Sequence, residues 1–298
     1  MILGLGGAII LMAIGSGRGD VEPAHARNQV YVHALDKGVE SEGETVRLPA
    51  PRLVDGQTAE QERAALVAIA GSDGAADELL KDSITAPYIL KVHDVKTERA
   101  TIRAADVWFV IYGDLKAIDP KEAAEKVGGG EVEAGNMAFR TTLIDLDKAR
   151  AEGVDTGPKV DGVETWFAHI EGRLLNRLLV DVTNRVTATT SGHSIVVASL
   201  TDPGFAKPGT SRNTWAPIGK AGSGHVADTL HPYTGGMSYG KISRLSLKPG
   251  ALLVELHTAF VEPKGWFDGS PILRSKFSVI AQSEIRSLRR ELLKKRGT

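Results

Sequence analysis

The feature that most constrains this chain is the patterning between Leu178 and Lys295: two strand pairs, then one long amphipathic helix. Residues 178–190 and 194–200 flank Ser191-Gly192-His193 and predict a hairpin. Residues 241–247 turn at Lys248-Pro249-Gly250 into 251–261, where Leu252, Val254, Leu256 and Phe260 alternate on one face and Glu255 and His257 lie on the other. Beyond Pro263 and Gly265, Ser270-Pro271 supplies an N-cap with proline at the first helical position. In the helix that follows, to about Lys295, Leu273, Phe277, Ile280, Ala281, Leu288 and Leu292 recur every three or four residues, so one side packs on something large. The prediction is an α+β fold, with a mainly antiparallel, curved sheet packed on a long C-terminal helix.

Upstream, Val107-Trp108-Phe109-Val110-Ile111-Tyr112 is the strongest β signal, stopped by Gly113; Tyr88, Leu90 and Val92 alternate as a half-buried strand. Further strands are predicted near 137–145 and 163–170, with 147–162 a charged surface connection. Thr58 and Gln61 form a capping box for a helix that Gly71 ends, and a short helical piece follows around Asp77–Lys81. Asp119-Pro120 opens another helix, closed by Gly128-Gly129-Gly130. Residues 27–57, with Pro49, Pro51 and many charges, predict an extended, loosely held arm, and 58–298 a single α+β domain. At the amino terminus, Met1 to Gly15 is an unbroken apolar and glycine run, and Ala24-His25-Ala26 offers small residues for a signal-peptidase cut before Arg27. Residues 1–26 therefore predict a signal peptide and an exported protein of the periplasm or cell envelope. No Lys or Arg precedes the run, and an uncleaved N-terminal anchor is the alternative.

Several chemistries can be set aside. The chain has no cysteine, which removes disulfides, thiolate metal sites and cysteine nucleophiles. A formal net charge of −1 argues against broad capture of nucleic acid or anionic membrane. The eight histidines form no metal box; His225 and His231 share a loop with Asp228, a pattern more often solvated than metal-binding. Gly222-Ser223-Gly224 with Ala227 fits a dinucleotide fingerprint on paper but lacks the strand and helix that must flank it. No cofactor, metal or nucleic acid is expected. Gly236-Met237-Ser238-Tyr239-Gly240 matches the nucleophile-elbow pattern, yet a glycine-rich loop precedes Ser238 and a strand follows, the reverse of the context an elbow needs. The cations near the C-terminus (Arg286, Arg289, Arg290, Lys294, Lys295, Arg296) suit a helix end and a solvated face. The Gly/Pro-rich stretch 202–236, holding Trp215, His231 and Tyr233, is functional, mobile, or hides short strands.

The order hairpin, irregular stretch, hairpin, closing helix resembles the helix-grip domains of the START-like (SRPBCC) superfamily over roughly residues 178–296, with Phe260 to Phe267 similar to the turn that introduces their last helix. The resemblance implies a curved sheet wrapped on the helix around an apolar cavity for a lipid or other hydrophobic molecule. Leu252, Val254, Leu256 and Phe260 on the last strand and Phe277 and Ile280 on the helix would wall it, with Tyr239 and Trp266 as polar groups near the mouth. The alternatives are an envelope structural or interaction protein whose core is filled, and a serine hydrolase using Ser238.

Overall fold

The computed structural model describes residues 22–122, 130–134, 137–206, 213–221, 224–227, 229–267 and 272–296. In chain order these form helix α1 (Gln29–Asp36), strands β1 (Val39–Ser41) and β2 (Glu44–Val46), helices α2 (Ala59–Ala70) and α3 (Asp73–Leu79), and strands β3 (Ile89–Lys96), β4 (Ala100–Tyr112), β5 (Gly130–Ala134) and β6 (Met137–Ile144). Helix α4 (Leu146–Ala151) leads into β7 (Val163–Leu174), β8 (Leu178–Thr190) and β9 (Ser194–Thr201). Strands β10 (Thr214–Ala221), β11 (Gly224–Ala227), β12 (His231–Pro232), β13 (Gly236–Arg244) and β14 (Ala251–Pro263) follow, and helix α5 (Ile272–Arg296) closes the chain.

Among the described residues every strand pairing is antiparallel, and the main sheet runs β3-β4-β14-β13-β9-β8-β7-β6-β5. The fold is α+β and helix-grip-like, with α5 on one face of the curved sheet. The 178–200 hairpin forms as predicted, with Asn184 opposite Thr201 and Thr190 opposite Ile195. Where β9 ends, β10 takes over the edge of β8, pairing Thr214–Pro217 with Leu178–Asp181. The 202–236 stretch thus holds three short strands, invisible to periodicity because each is two to eight residues long and two contain proline.

The strongly β-favouring run Val107–Tyr112 lies in the longest class of strand and is buried on both faces. Its partner β14 is buried almost throughout, in register from Ala251 opposite Tyr112 to Pro263 opposite Ala100. On the inner face, Val107, Phe109, Ile111, Leu252 and Val254 pack against Ala281 and Ile285 of α5. Leu288, predicted inward, is only half-buried on that side. Ser270, Pro271 and the Leu273 side chain lie outside the described residues, as do residues 123–129 beyond the Asp119 cap; Asp119 Oδ1 accepts from the backbone N–H groups of Lys121 and Glu122. Arg289 departs from the solvated face expected of its neighbours. It is buried and donates to the carbonyls of Val110 (3.0 Å), Ala86 and Pro87 (3.2 Å), with Phe109 beneath its guanidinium.

The outer face is covered by the N-terminal segments. Thr58 and Gln61 make the predicted capping box for α2, and Gly71 ends it at φ 90°, a left-handed turn that favours glycine. The extended arm expected at 27–57 is a folded layer instead. Asn28 caps α1, whose Val30, Tyr31 and Ala34 pack with Val39, Val46 and Leu48 on Ala104, Tyr239, Ala259 and Val261 of the sheet. The prolines and charges hid this apolar stripe, which has partners only once the sheet exists. Glu255 fastens the same layer: its carboxylate accepts from the N–H groups of Arg52 (2.8 Å) and Leu53 (3.1 Å) and from the Trp108 indole (2.9 Å).

A buried polar network lies beside it. Lys241, fully buried, donates to Glu22 (2.5 Å) and to the Leu53 carbonyl (2.8 Å), with Asp55 at 3.8 Å. Asp55 accepts from the hydroxyls of Ser191 (2.5 Å) and Ser194 (2.7 Å), and His25 bonds Thr189 and Ser194 at 2.8 Å each. Burial lowers the His25 pKa to about 4, with Lys241 adding to the shift. Residues 1–21, which hold the apolar run, lie outside the described residues, but Glu22 and His25 precede the expected cut after Ala26 and are buried inside the fold. A cut at that place removes both from the network.

Candidate functional site

Alternation along β13 divides its side chains sharply. Met237, Tyr239, Lys241 and Ser243 point outward and are buried; Gly236, Ser238, Gly240 and Ile242 face inward and remain half-exposed although the strand is central in the sheet. Three of these four inward positions carry at most a hydroxymethyl group. The larger side chains of β14 lie across the glycines: a Cβ on Gly236 would sit 2.6 Å from Phe260 Cβ, and one on Gly240 2.8 Å from Leu256 Cδ2. Glycine at 236 and 240 lets β14 pack this closely, and the space beneath α5 beyond those side chains is open.

It forms a cavity of about 370 Å³, within the range of small-molecule sites. Its walls come from Val107 and Phe109 of β4, Trp166 and Ile170 of β7, Val182 and Val186 of β8, and Val254, Leu256 and Phe260 of β14, roofed by Ile285, Leu288 and Leu292 of α5. Exposed lining residues Ala117, Asp119, Glu122 and Ser287 mark its mouth, between the loop after β4 and the helix. Across the floor runs a band of neutral polar side chains. Thr201 donates to Asn184 Oδ1 (3.0 Å), and the hydroxyls of Ser199 and Ser238 are 2.8 Å apart, with Thr258 opposite Ser238 on β14. Among the described lining residues, the charged side chains bordering the cavity are Asp119, Glu122, Glu284 and Glu291, all acidic.

The predicted wall is partly assembled. Val254, Leu256, Phe260 and Trp266 line the cavity. Leu252 packs under Ala281 and Ile285, and Phe277 and Ile280 join Phe260 and Trp266 in a solid cluster beside the cavity, so these three support the wall without forming it. Tyr239, expected near the mouth, borders the cavity from the floor. Its ring turns to the outer face, edge-on to Tyr31 at 5.0 Å and tilted on His257 at 4.7 Å, and its hydroxyl donates to the Pro49 carbonyl. Strand parity could have shown this, since Tyr239 lies opposite His257 and alternates with Ser238. Trp266 stacks on Tyr233 at 5.3 Å, and its buried indole N–H has no acceptor among the described residues.

The polar band was missed because hydroxyl and amide residues in strands have no periodic signature of their own. One signal was present: Gly236-x-Ser238-x-Gly240 marks a strip of small inward residues, and the elbow reading of the same motif does not fit. Ser238 sits mid-strand with Ser199 as its hydroxyl partner, while His257 is on the opposite face, bonded to Asp106 (2.6 Å). The described residues hold no group of three or more histidine and carboxylate side chains able to share a metal; Asp228 and residues 222–223 lie outside them.

No protein-family model matches the chain, and no curated protein does. Among solved structures, it is similar to the crystal structure of human STARD10, at 11% identity and a TM-score of 0.36, covering 70% of this chain and 76% of that one. It is also similar to the di-domain ARO/CYC BexL from the BE-7585A biosynthetic pathway, at 12% identity and a TM-score of 0.23, covering 68% and 74% respectively. At these values neither likeness carries a functional conclusion.

Proposed function

We propose that the protein binds a hydrophobic small molecule or lipid in the cavity between the inner sheet face and α5. The observation that carries this reading is the unfilled, apolar-walled space itself, bordered by Gly236, Ser238 and Gly240 of β13. Burial of a guest's hydrocarbon drives binding, at about 25 cal/mol per Å² removed from water. A protein with a purely structural role gains nothing from an opening of this size, because every missing contact in a core lowers stability. The test is native mass spectrometry of the protein from its own host, together with thermal shift against 1-dodecanol. Binding is expected in the wild type and lost in Ser238→Leu, whose side chain fills the floor; a wild type that carries and binds nothing refutes the reading.

Export to the periplasm or cell envelope, carried by the apolar run of residues 1–15, belongs to the same proposal. Because Glu22 and His25 are buried, the mature chain is expected to begin before Glu22. N-terminal sequencing of the native protein checks this, and a mature start at Arg27 contradicts it.

A further inference from the structure

Resting on the reading of the cavity as a ligand site, we infer that its ligand is uncharged: an alcohol or carbonyl compound with a hydrocarbon body, whose oxygen pairs with the polar band on the floor. Ser199 and Ser238 share one O–H between them at 2.8 Å, so the pair retains a second O–H and free lone pairs. Asn184 uses Oδ1 to accept from Thr201, and its NH₂ has no partner among the described residues. A hydroxyl or carbonyl oxygen can accept from these groups, and a hydroxyl can also donate back to the serines.

Charge decides the rest. A carboxylate or phosphate carried into the cavity would lose its water, and no Lys or Arg among the described lining residues replaces that solvation. Among the described lining residues, the charged side chains it would pass are Asp119, Glu122, Glu284 and Glu291. A plain hydrocarbon meets no such barrier, but it leaves the free donors of Asn184 and the serine pair without an acceptor. The ranking by head group is therefore neutral oxygen first, bare hydrocarbon second, anion last.

The experiment compares 1-dodecanol, dodecane and dodecanoate on the full chain by calorimetry, at about pH 8 where the acid is ionised. The three share one chain length, so head group alone separates them. Dodecanol is expected to bind tightest and dodecanoate at least about tenfold more weakly. Ser199→Ala with Ser238→Ala should weaken dodecanol by about five- to tenfold, the worth of one net hydrogen bond, and leave dodecane unchanged. Asn184→Leu provides a second, independent reading of the same loss. Dodecanoate binding as well as dodecanol overturns the inference while leaving the cavity reading intact, as does dodecanol binding that ignores all three substitutions. Failure of the wild type to bind any of the three overturns both.

Discussion

Glu22→Gln removes a charge from a place where its partner cannot reach water. Lys241 is fully buried, with Glu22 at 2.5 Å, the Leu53 carbonyl at 2.8 Å and Asp55 at 3.8 Å. At an effective dielectric near 20, the closer carboxylate is worth roughly 7 kcal/mol of gross attraction and the farther one roughly 4 kcal/mol. The pair itself is not a large source of stability, since burial raises the Glu22 pKa against the pull of Lys241. The stranded ammonium is the costly species. With Asp55 still present and the glutamine oxygen able to accept, the expected loss is about 3 kcal/mol, the low end of the range for breaking a buried pair. Urea denaturation should show a lower midpoint at an unchanged slope. Glu22→Gln combined with Lys241→Met removes the stranded charge and should recover most of the loss. A single variant within about 0.5 kcal/mol of wild type, or a double variant no better than the single, would refute the assignment of Lys241 as a charge dependent on Glu22.

Other perturbations read other parts of the molecule. His25→Gln should flatten the acid side of the stability profile: the unfolded histidine takes up a proton below about pH 6.5, while the folded one resists until about pH 4, so wild type loses up to about 3 kcal/mol across that window and the variant does not. Urea midpoints measured against pH check this, and the difference between the two chains cancels the opposing shift of Glu22. Arg289→Met breaks the bonds from α5 to Val110, Ala86 and Pro87; it should cost about 2 kcal/mol and speed amide exchange in α5 before the rest of the sheet. Ser238→Leu should raise or preserve the thermal midpoint while abolishing dodecanol binding, and an unchanged affinity would show that the ligand sits elsewhere.

How much of this was legible in the sequence follows from the range of each interaction. Local signals located their elements closely: the Thr58–Gln61 capping box, the run ending at Tyr112, and the hairpin around Ser191-Gly192-His193 are fixed by residues within a few positions of one another. The site was half legible. Alternation placed Val254, Leu256 and Phe260 inward, but which inward residues meet a cavity and which meet α5 depends on where a helix lies across the strands, a relation between distant segments. The N-terminal layer was misread for the same reason. Glu22 binds Lys241, 219 positions away, and Asn28 accepts from the Thr187 hydroxyl 159 positions away, so neither side chain advertises a buried role by its own neighbours.

Strand β13 brings these observations together, because its two faces are composed for opposite ends. Outward, Tyr239 and Lys241 are among the largest fully buried side chains of the protein, locked by the 22–57 layer through Pro49, Glu22 and Leu53. Inward, the same strand carries Gly236, Ser238 and Gly240 at the edge of the open space under α5. A sequence shaped by stability alone would place a bulky apolar residue at Ser238, as β14 does with Leu252 and Val254 against the helix, whereas Gly236 and Gly240 have no room for a Cβ beside Phe260 and Leu256. Leaving Ser238 small forgoes packing on one side, while the outer layer holds the same strand through Tyr239 and Lys241. The buried charge on the outer face and the small residues on the inner face thus share one strand, which ties the N-terminal layer to the floor of the cavity.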